Sequence, residues 1–291
     1  MKVAAGPVVA GLAALAIAAL ALGVETSRSA EVRVDKATDS RADTPAGSRA
    51  DARADPRTDP RRSGFDFMSR EVQAMQLDDA SNPAMLWVKD GEALWSRKSG
   101  AAERSCASCH GDAAASMRGV AARYPLFDAI ARRPVDLAGR IELCRARHQQ
   151  AAPLPAESDE LLALESYVAL QSRGLPIAPE VDPRLEPFRE RGALLWRQRV
   201  GQLDFACAQC HDGHAGQRLA GSVIPQAHPT GYPLYRLEWQ GLGSLQRRLR
   251  GCLSGVRAEP YAYGSIELIE LELYLAQRAA GMRLETPAVR P

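Results

Sequence analysis

The sequence predicts an all-α protein made of two tandem copies of one helical unit, and three observations predict it. Trp95 stands eleven residues before Cys106, and Trp196 stands eleven before Cys207. YPLF begins at Tyr124 and YPLY at Tyr232, and from each tyrosine a cysteine follows twenty residues later, Cys144 and Cys252. SDELLALESYVALQSRG and GSIELIELELYLAQRAAG carry apolar residues at helical spacing between Ser-containing starts and Gly ends, and no clear strand alternation appears elsewhere. Self-similarity on this scale marks a duplicated supersecondary unit.

In chain order, residues 1–23 hold one Lys and then an uncharged run rich in Ala, the layout of a cleaved signal peptide. An uncleaved anchor is the alternative, since about 20 apolar residues just span a bilayer. Pro7 and the glycines make that a poor helix. No stable membrane span is expected after cleavage. Residues 24–63 repeat Arg, Asp, Ala and Pro with almost no large apolar side chain, and such a segment buries too little to offset its ordering entropy. It reads as a disordered tether. Residues 64–176 form the first unit and 177–291 the second, joined through Leu175–Arg184 with its three prolines. A net charge of +2, with no basic block interleaved with aromatics, argues against a nucleic-acid partner.

Each unit carries a CxxCH motif, CASCH (Cys106, Cys109, His110) and CAQCH (Cys207, Cys210, His211). In such a motif two thiols add across the vinyl groups of haem and the adjacent His becomes the proximal iron ligand. The prediction is therefore two cytochrome c-like domains, each with a covalently bound haem c. Disulfides or zinc compete poorly, because each cluster ends in a single adjacent His and zinc wants four grouped ligands. For the distal ligand, Met117 follows His110 by only seven residues and Met282 lies past the last helix. Cys144 and Cys252 occupy matching positions where a returning segment caps the haem. His148 is one turn beyond Cys144 and competes with it; the second unit has Val256 there. His214 and His228 lie in a loop seven residues longer than its counterpart and remain lesser alternatives.

The two cysteines differ in surroundings. Gly251, Ser254 and Gly255 leave little bulk around Cys252, while Arg247, Arg248, Arg250 and Arg257 bring positive charge that favours a thiolate. Cys144 is flanked by Ile141 and Leu143 and reads as a closed structural ligand. Arg248, one turn before Cys252, is placed to offer a guanidinium fork to an anion. For Arg247 and Arg250, propionate pairing or a solvated face is the simpler reading.

The succession CASCH, IELC, CAQCH, RRLRGC over roughly residues 65–285 resembles the SoxA family, dihaem cytochrome subunits of the periplasmic thiosulfate-oxidising system. The resemblance implies an L-cysteine S-thiosulfotransferase that joins thiosulfate to a cysteine of the SoxYZ carrier and sends two electrons through haem to a SoxX-type monohaem cytochrome c. It implies that Cys252 is both distal ligand and catalytic residue, carried as a persulfide, that Arg248 contacts substrate, and that Cys144 ligates the first haem. The long tether is the main departure from the family. A thiosulfate dehydrogenase forming tetrathionate and a non-catalytic dihaem electron carrier are the competing functions.

Overall fold

The computed structural model describes residues 59–291. The predicted leader, and the predicted tether up to residue 58, lie outside the described residues.

The first half runs α1 (Arg70–Leu77), α2 (Met85–Ser96), the motif helix α3 (Cys106–His110), α4 (Ala113–Ser116), a hairpin of β1 (Leu126–Asp128) and β2 (Arg133–Val135), α5 (Leu137–Cys144) and α6 (Asp159–Leu170). The second runs α7 (Glu186–Arg197), the motif helix α8 (Cys207–His211), a small hairpin of β3 (Arg218–Leu219) and β4 (Ser222–Val223), β5 (Leu234–Arg236), β6 (Gly241–Gly243), α9 (Leu245–Gly255), α10 (Ile266–Arg278) and β7 (Ala288–Arg290). Side chains cap the helices where the sequence places them. Ser158 and Ser265 accept the N–H of Leu161 and Leu268, and Asp136 and Ser244 accept that of Gly139 and Arg247.

In both halves the helix before the motif packs tightly on the long terminal helix, α2 on α6 and α7 on α10. A glycine permits each approach: a Cβ on Gly91 would stand 2.1 Å from the Ala163 carbonyl oxygen, and one on Gly192 2.0 Å from that of Glu270. Each pair holds a buried tryptophan, Trp95 or Trp196, beside its motif.

Helices dominate as expected, but the all-α expectation omitted the short strands. β5 lies between β6, antiparallel to it, and β7, parallel to it. Three-residue strands are too short to show alternation, and two of them contain Pro134 or a Gly-Leu-Gly run that argues against strand from sequence. The strand β7 also receives α1: Gln76 Oε1 accepts the Val289 N–H, and Asn82 Nδ2 donates to the Pro287 carbonyl. The proline-bearing connection is held down on both sides. Ile177 N–H donates to Met282 O, Ala178 N–H to Ala122 O, and the buried Ile177 packs on Ala279 and Leu284. At residue 61, Arg61 Nη1 donates to the carbonyls of Arg278 and Ala280 at the end of α10.

Between the halves lies a cavity of about 250 Å³ whose lining includes Asp136, Glu165 and Glu272. Glu165 and Glu272 are the same position of the duplicated LESY and LELY segments. Burial pushes both carboxyls well above their usual range, and the nearby acids add to it. Asp136 is also raised by burial, against which the Gly139 N–H (2.8 Å) and Gln246 Nε2 (2.9 Å) favour its ionised form. The raised values favour the protonated forms of these buried acids. Because the folded pKa values exceed the unfolded ones, the folded state keeps protons that the unfolded chain has already released. The share of stability that these acids control is therefore fullest below about pH 4.3 and is lost as pH rises through the raised values. Thermal unfolding followed by circular dichroism should give a melting temperature that declines from pH 5 to pH 8. Glu272→Gln should flatten that slope and raise the melting temperature at pH 8 by about 3–5 °C. A slope of opposite sign would contradict the assignment.

Candidate haem and thiol site

The second half builds the more complete site. α8 spaces Cys207 and Cys210 over one turn, with Gln209 Oε1 accepting the Ala206 N–H at its start (2.7 Å). His211 Nδ1 lies 2.7 Å from the Pro225 carbonyl, which only accepts, so Nδ1 carries the hydrogen and Nε2 is left as an electron-pair donor. This is the outer hydrogen bond that fixes a ligating imidazole. Trp196 stacks on His211 with centroids 5.6 Å apart, and its Nε1 donates to Asp212 Oδ2 (2.8 Å). Arg278 covers the other side of the indole (4.7 Å) and donates to Asp212 Oδ1 (2.7 Å).

α9 brings Cys252 to face His211 within hydrogen-bonding reach. The two line a cavity of about 560 Å³, together with Cys207, Leu249, Arg248 and Arg236. That volume lies in the range of small-molecule and cofactor sites. All six cysteines are unbridged. Paired thiols one turn apart, an imidazole with a free nitrogen, a facing thiol and an apolar wall together fit a covalently attached haem.

The first half repeats the plan with less enclosure. Trp95 Nε1 donates to Gly111 O (3.0 Å), and its ring lies 5.7 Å from His110. Cys144, at the end of α5, is near enough to Cys106 and Cys109 for their charges to oppose one another. Cys109 and His110 are exposed. Arg145 pairs through Nε with Glu142 (3.4 Å), and its charge reaches Cys106. His148 is exposed on the π-helical turn Arg145–Gln149.

The two facing thiols are tuned in opposite directions. Burial raises both, but at Cys252 the His211 contact and the charges of Arg248 and Arg236 outweigh it and the thiol is lowered. At Cys144 burial prevails over Arg140 and Arg147, and the thiol is raised. The cause is visible in the ion pairs. Asp128, with its side chain only 4 % exposed, binds Arg140 (2.8 Å) and Arg147 (3.0 Å) at once and is held well below the usual carboxylate range by Arg147, the Ala131 N–H and Arg140. The two halves run without a gap from the tyrosine to the cysteine, and the position that matches Asp128 is Arg236. An acid that quenches two arginines in one half is thus an arginine that adds charge in the other.

Sequence reasoning missed Arg236, although YPLFD against YPLYR carried the signal. Of the arginines it weighed near Cys252, Arg248 lines the cavity. Arg247 lies over Trp239 (4.2 Å) and donates to Leu242 O, Arg250 donates to Tyr261 O, and Arg257 is exposed. His214 is exposed and its Nδ1 meets Gln209 O (2.6 Å). His228 lines the cavity with a buried Nδ1 that lacks a partner among the described residues; burial and the charges of Arg278 and Arg61 lower it to about 4, so it is neutral. Met117 is in the core beside Trp95.

A helix-rich fold with two such motif helices defines a cytochrome c protein. The family described as SoxA/TsdA, cytochrome c domain, matches residues 90–177 and 191–284, and the chain belongs to it. Curated relatives named L-cysteine S-thiosulfotransferase subunit SoxA include that of Pseudaminobacter salicylatoxidans, 40% identical over 229 residues (78% of this chain, 80% of the relative), and that of Rhodovulum sulfidophilum, 33% identical over 229 residues (79% and 80%). The crystal structure of SoxXA from P. pantotrophus superimposes with a TM-score of 0.76 at 32% identity, covering 79% of this chain and 87% of that one. Among the described residues no helix is long and apolar enough to cross a membrane.

Proposed function

We propose that this chain is the thiosulfate-conjugating subunit of a periplasmic cytochrome complex, an L-cysteine S-thiosulfotransferase, with Cys252 as its reacting group. The observation that carries the proposal is the placement of Cys252 in one cavity with His211, Arg248 and the motif cysteine Cys207. Two haem c groups are proposed: Cys106 and Cys109 would hold one covalently, with His110 and Cys144 as its iron ligands, and Cys207 and Cys210 the other, with His211 and Cys252. In this assignment the two haem units are the domains 64–176 and 177–291, and residues 1–23 direct export.

The overall reaction joins the outer sulfur of thiosulfate to the sulfur of a cysteine on a SoxYZ-type carrier. One S–S bond forms, the carrier thiol loses its proton, and two electrons depart. A haem held by these residues would supply the one-electron chemistry through which the two electrons could pass to a SoxX-type partner. The chain's own residues hold the anion and supply the sulfur nucleophile: Arg248 binds the substrate, and Cys252, as thiolate or persulfide, receives and passes on sulfur by exchange of the thiol–disulfide kind. Cys144, with its raised thiol and quenched arginines, has no such role and serves the first haem as a ligand.

The product separates this reading from its rivals. Carrier-bound thiosulfonate, detected by mass spectrometry of the carrier after incubation with thiosulfate and an oxidised partner cytochrome, is the expected result. Free tetrathionate would instead identify a thiosulfate dehydrogenase, and no product an electron carrier. Denaturing mass spectrometry of the purified chain should show two haems attached; one, or none, would overturn the double assignment.

A further inference from the structure

We infer that Arg236 is a second substrate-binding residue, which with Arg248 forms a two-armed clamp for the thiosulfate dianion at Cys252. This rests on the thiosulfotransferase reading and names a residue it had not assigned.

The first support is the internal comparison. Both halves place an arginine four residues before the facing cysteine, Arg140 and Arg248, and both place a short strand one hairpin earlier. The residue closing that strand reverses sign, from Asp128 to Arg236. Asp128 pairs with Arg140 and offsets its charge, whereas Arg236 puts a second cation in the cavity that holds Arg248 and Cys252.

The second support is what the cations of the cavity already bind. Arg290 is engaged with Glu285 (2.7 Å) and Gln76, and Arg218 sits on the exposed β3–β4 hairpin, donating weakly to Gly221 O (3.4 Å). Arg248 has no acceptor among the described residues. Arg236 donates Nε to Pro291 O (2.9 Å) and pairs through Nη2 with Glu238, whose side chain is 65% exposed. An ion pair that open to water holds its arginine only weakly. Burial and the Arg248 charge both disfavour the Arg236 cation. Two neighbouring guanidiniums lining one cavity repel each other unless an anion lies between them, and two positive charges match a dianion. The central strand position of β5, with neighbours on both sides, fixes the backbone from which Arg236 projects.

The test uses the holo protein with partner cytochrome and carrier, measuring initial conjugation rates across thiosulfate concentrations. Arg236→Gln should raise KM for thiosulfate about 10- to 100-fold with kcat changed far less, the scale of one lost charge-assisted hydrogen bond. Arg236→Lys should restore part of the loss, Arg236→Asp should lower kcat/KM further by also quenching Arg248, and Arg250→Gln should leave KM unchanged. The midpoint potential of the second haem is measured in the same variants. An unchanged KM, with or without a shifted potential, overturns the clamp, and a shift would assign Arg236 to the haem periphery instead. A wild-type protein that conjugates no thiosulfate fails the functional reading itself, which the KM comparison between variants does not touch.

Discussion

Replacing Cys252 by serine in the holo protein should abolish carrier-bound thiosulfonate, by at least about 1000-fold, while leaving all four thioether cysteines and both haems in place. The size of the effect follows from the chemistry of sulfur. Serine keeps the shape, but its hydroxyl does not ionise at neutral pH under any charge this cavity supplies, and it cannot carry or release sulfur through an S–S bond. Retained activity in Cys252→Ser would reduce the residue to an axial ligand and leave the electron-carrier function in front. The haem spectrum should change in the same variant, because sulfur is then missing opposite His211.

The second large effect is on stability. Gly192→Ala should lower the melting temperature by roughly 5–10 °C, since overpacking a tight contact costs about 1–3 kcal/mol and the displaced atom here is backbone, which cannot rotate away. The added Cβ would stand 2.0 Å from Glu270 O, so α7 must lift from α10. The damage should reach the haem motif, because α7 carries Trp196, whose ring lies against His211. Reduced haem incorporation in the second half, read from the mass of the purified chain, should accompany the lower melting temperature. Gly91→Ala should cost similar stability in the first half. A melting temperature within 1 °C of wild type would show that the helices yield without strain.

The motifs and the duplication were legible because they are covalent chemistry and spacing, which a sequence states outright. The cap residues Ser158 and Ser265 and the helices they open were legible for the same reason, local preference agreeing with the final fold. What escaped depended on contacts between distant segments. Glu165 and Glu272, two acids within helices recognised by their apolar spacing, both line the cavity between the halves, and Glu270 is 3 % exposed against Arg191. Spacing alone set Arg248, one turn before Cys252, apart from Arg247 and Arg250, but what those two bind, Trp239 and the Tyr261 carbonyl, is written only in the fold. Asp128 and Arg236 were aligned by the repeat, but their meaning lay in what Asp128 grips.

The pairing of β7 with β5 has a consequence for the order in which this molecule can be completed. α1 rests on β7, and more than 200 residues separate the two in sequence, as the Gln76 contact with Val289 makes plain. Contacts of such separation are reached late, after the loop-closure entropy of everything between has been overcome. The strand that ends in Arg236 therefore gains its second neighbour, and α1 its seat, only after both cytochrome halves have been made. A chain cut short before Ala288 would retain both CxxCH motifs and both facing cysteines, yet lack the strand that steadies one wall of the reacting cavity. Haem attachment and a competent thiosulfate pocket are then separable events, and a cytochrome spectrum alone does not certify an active protein.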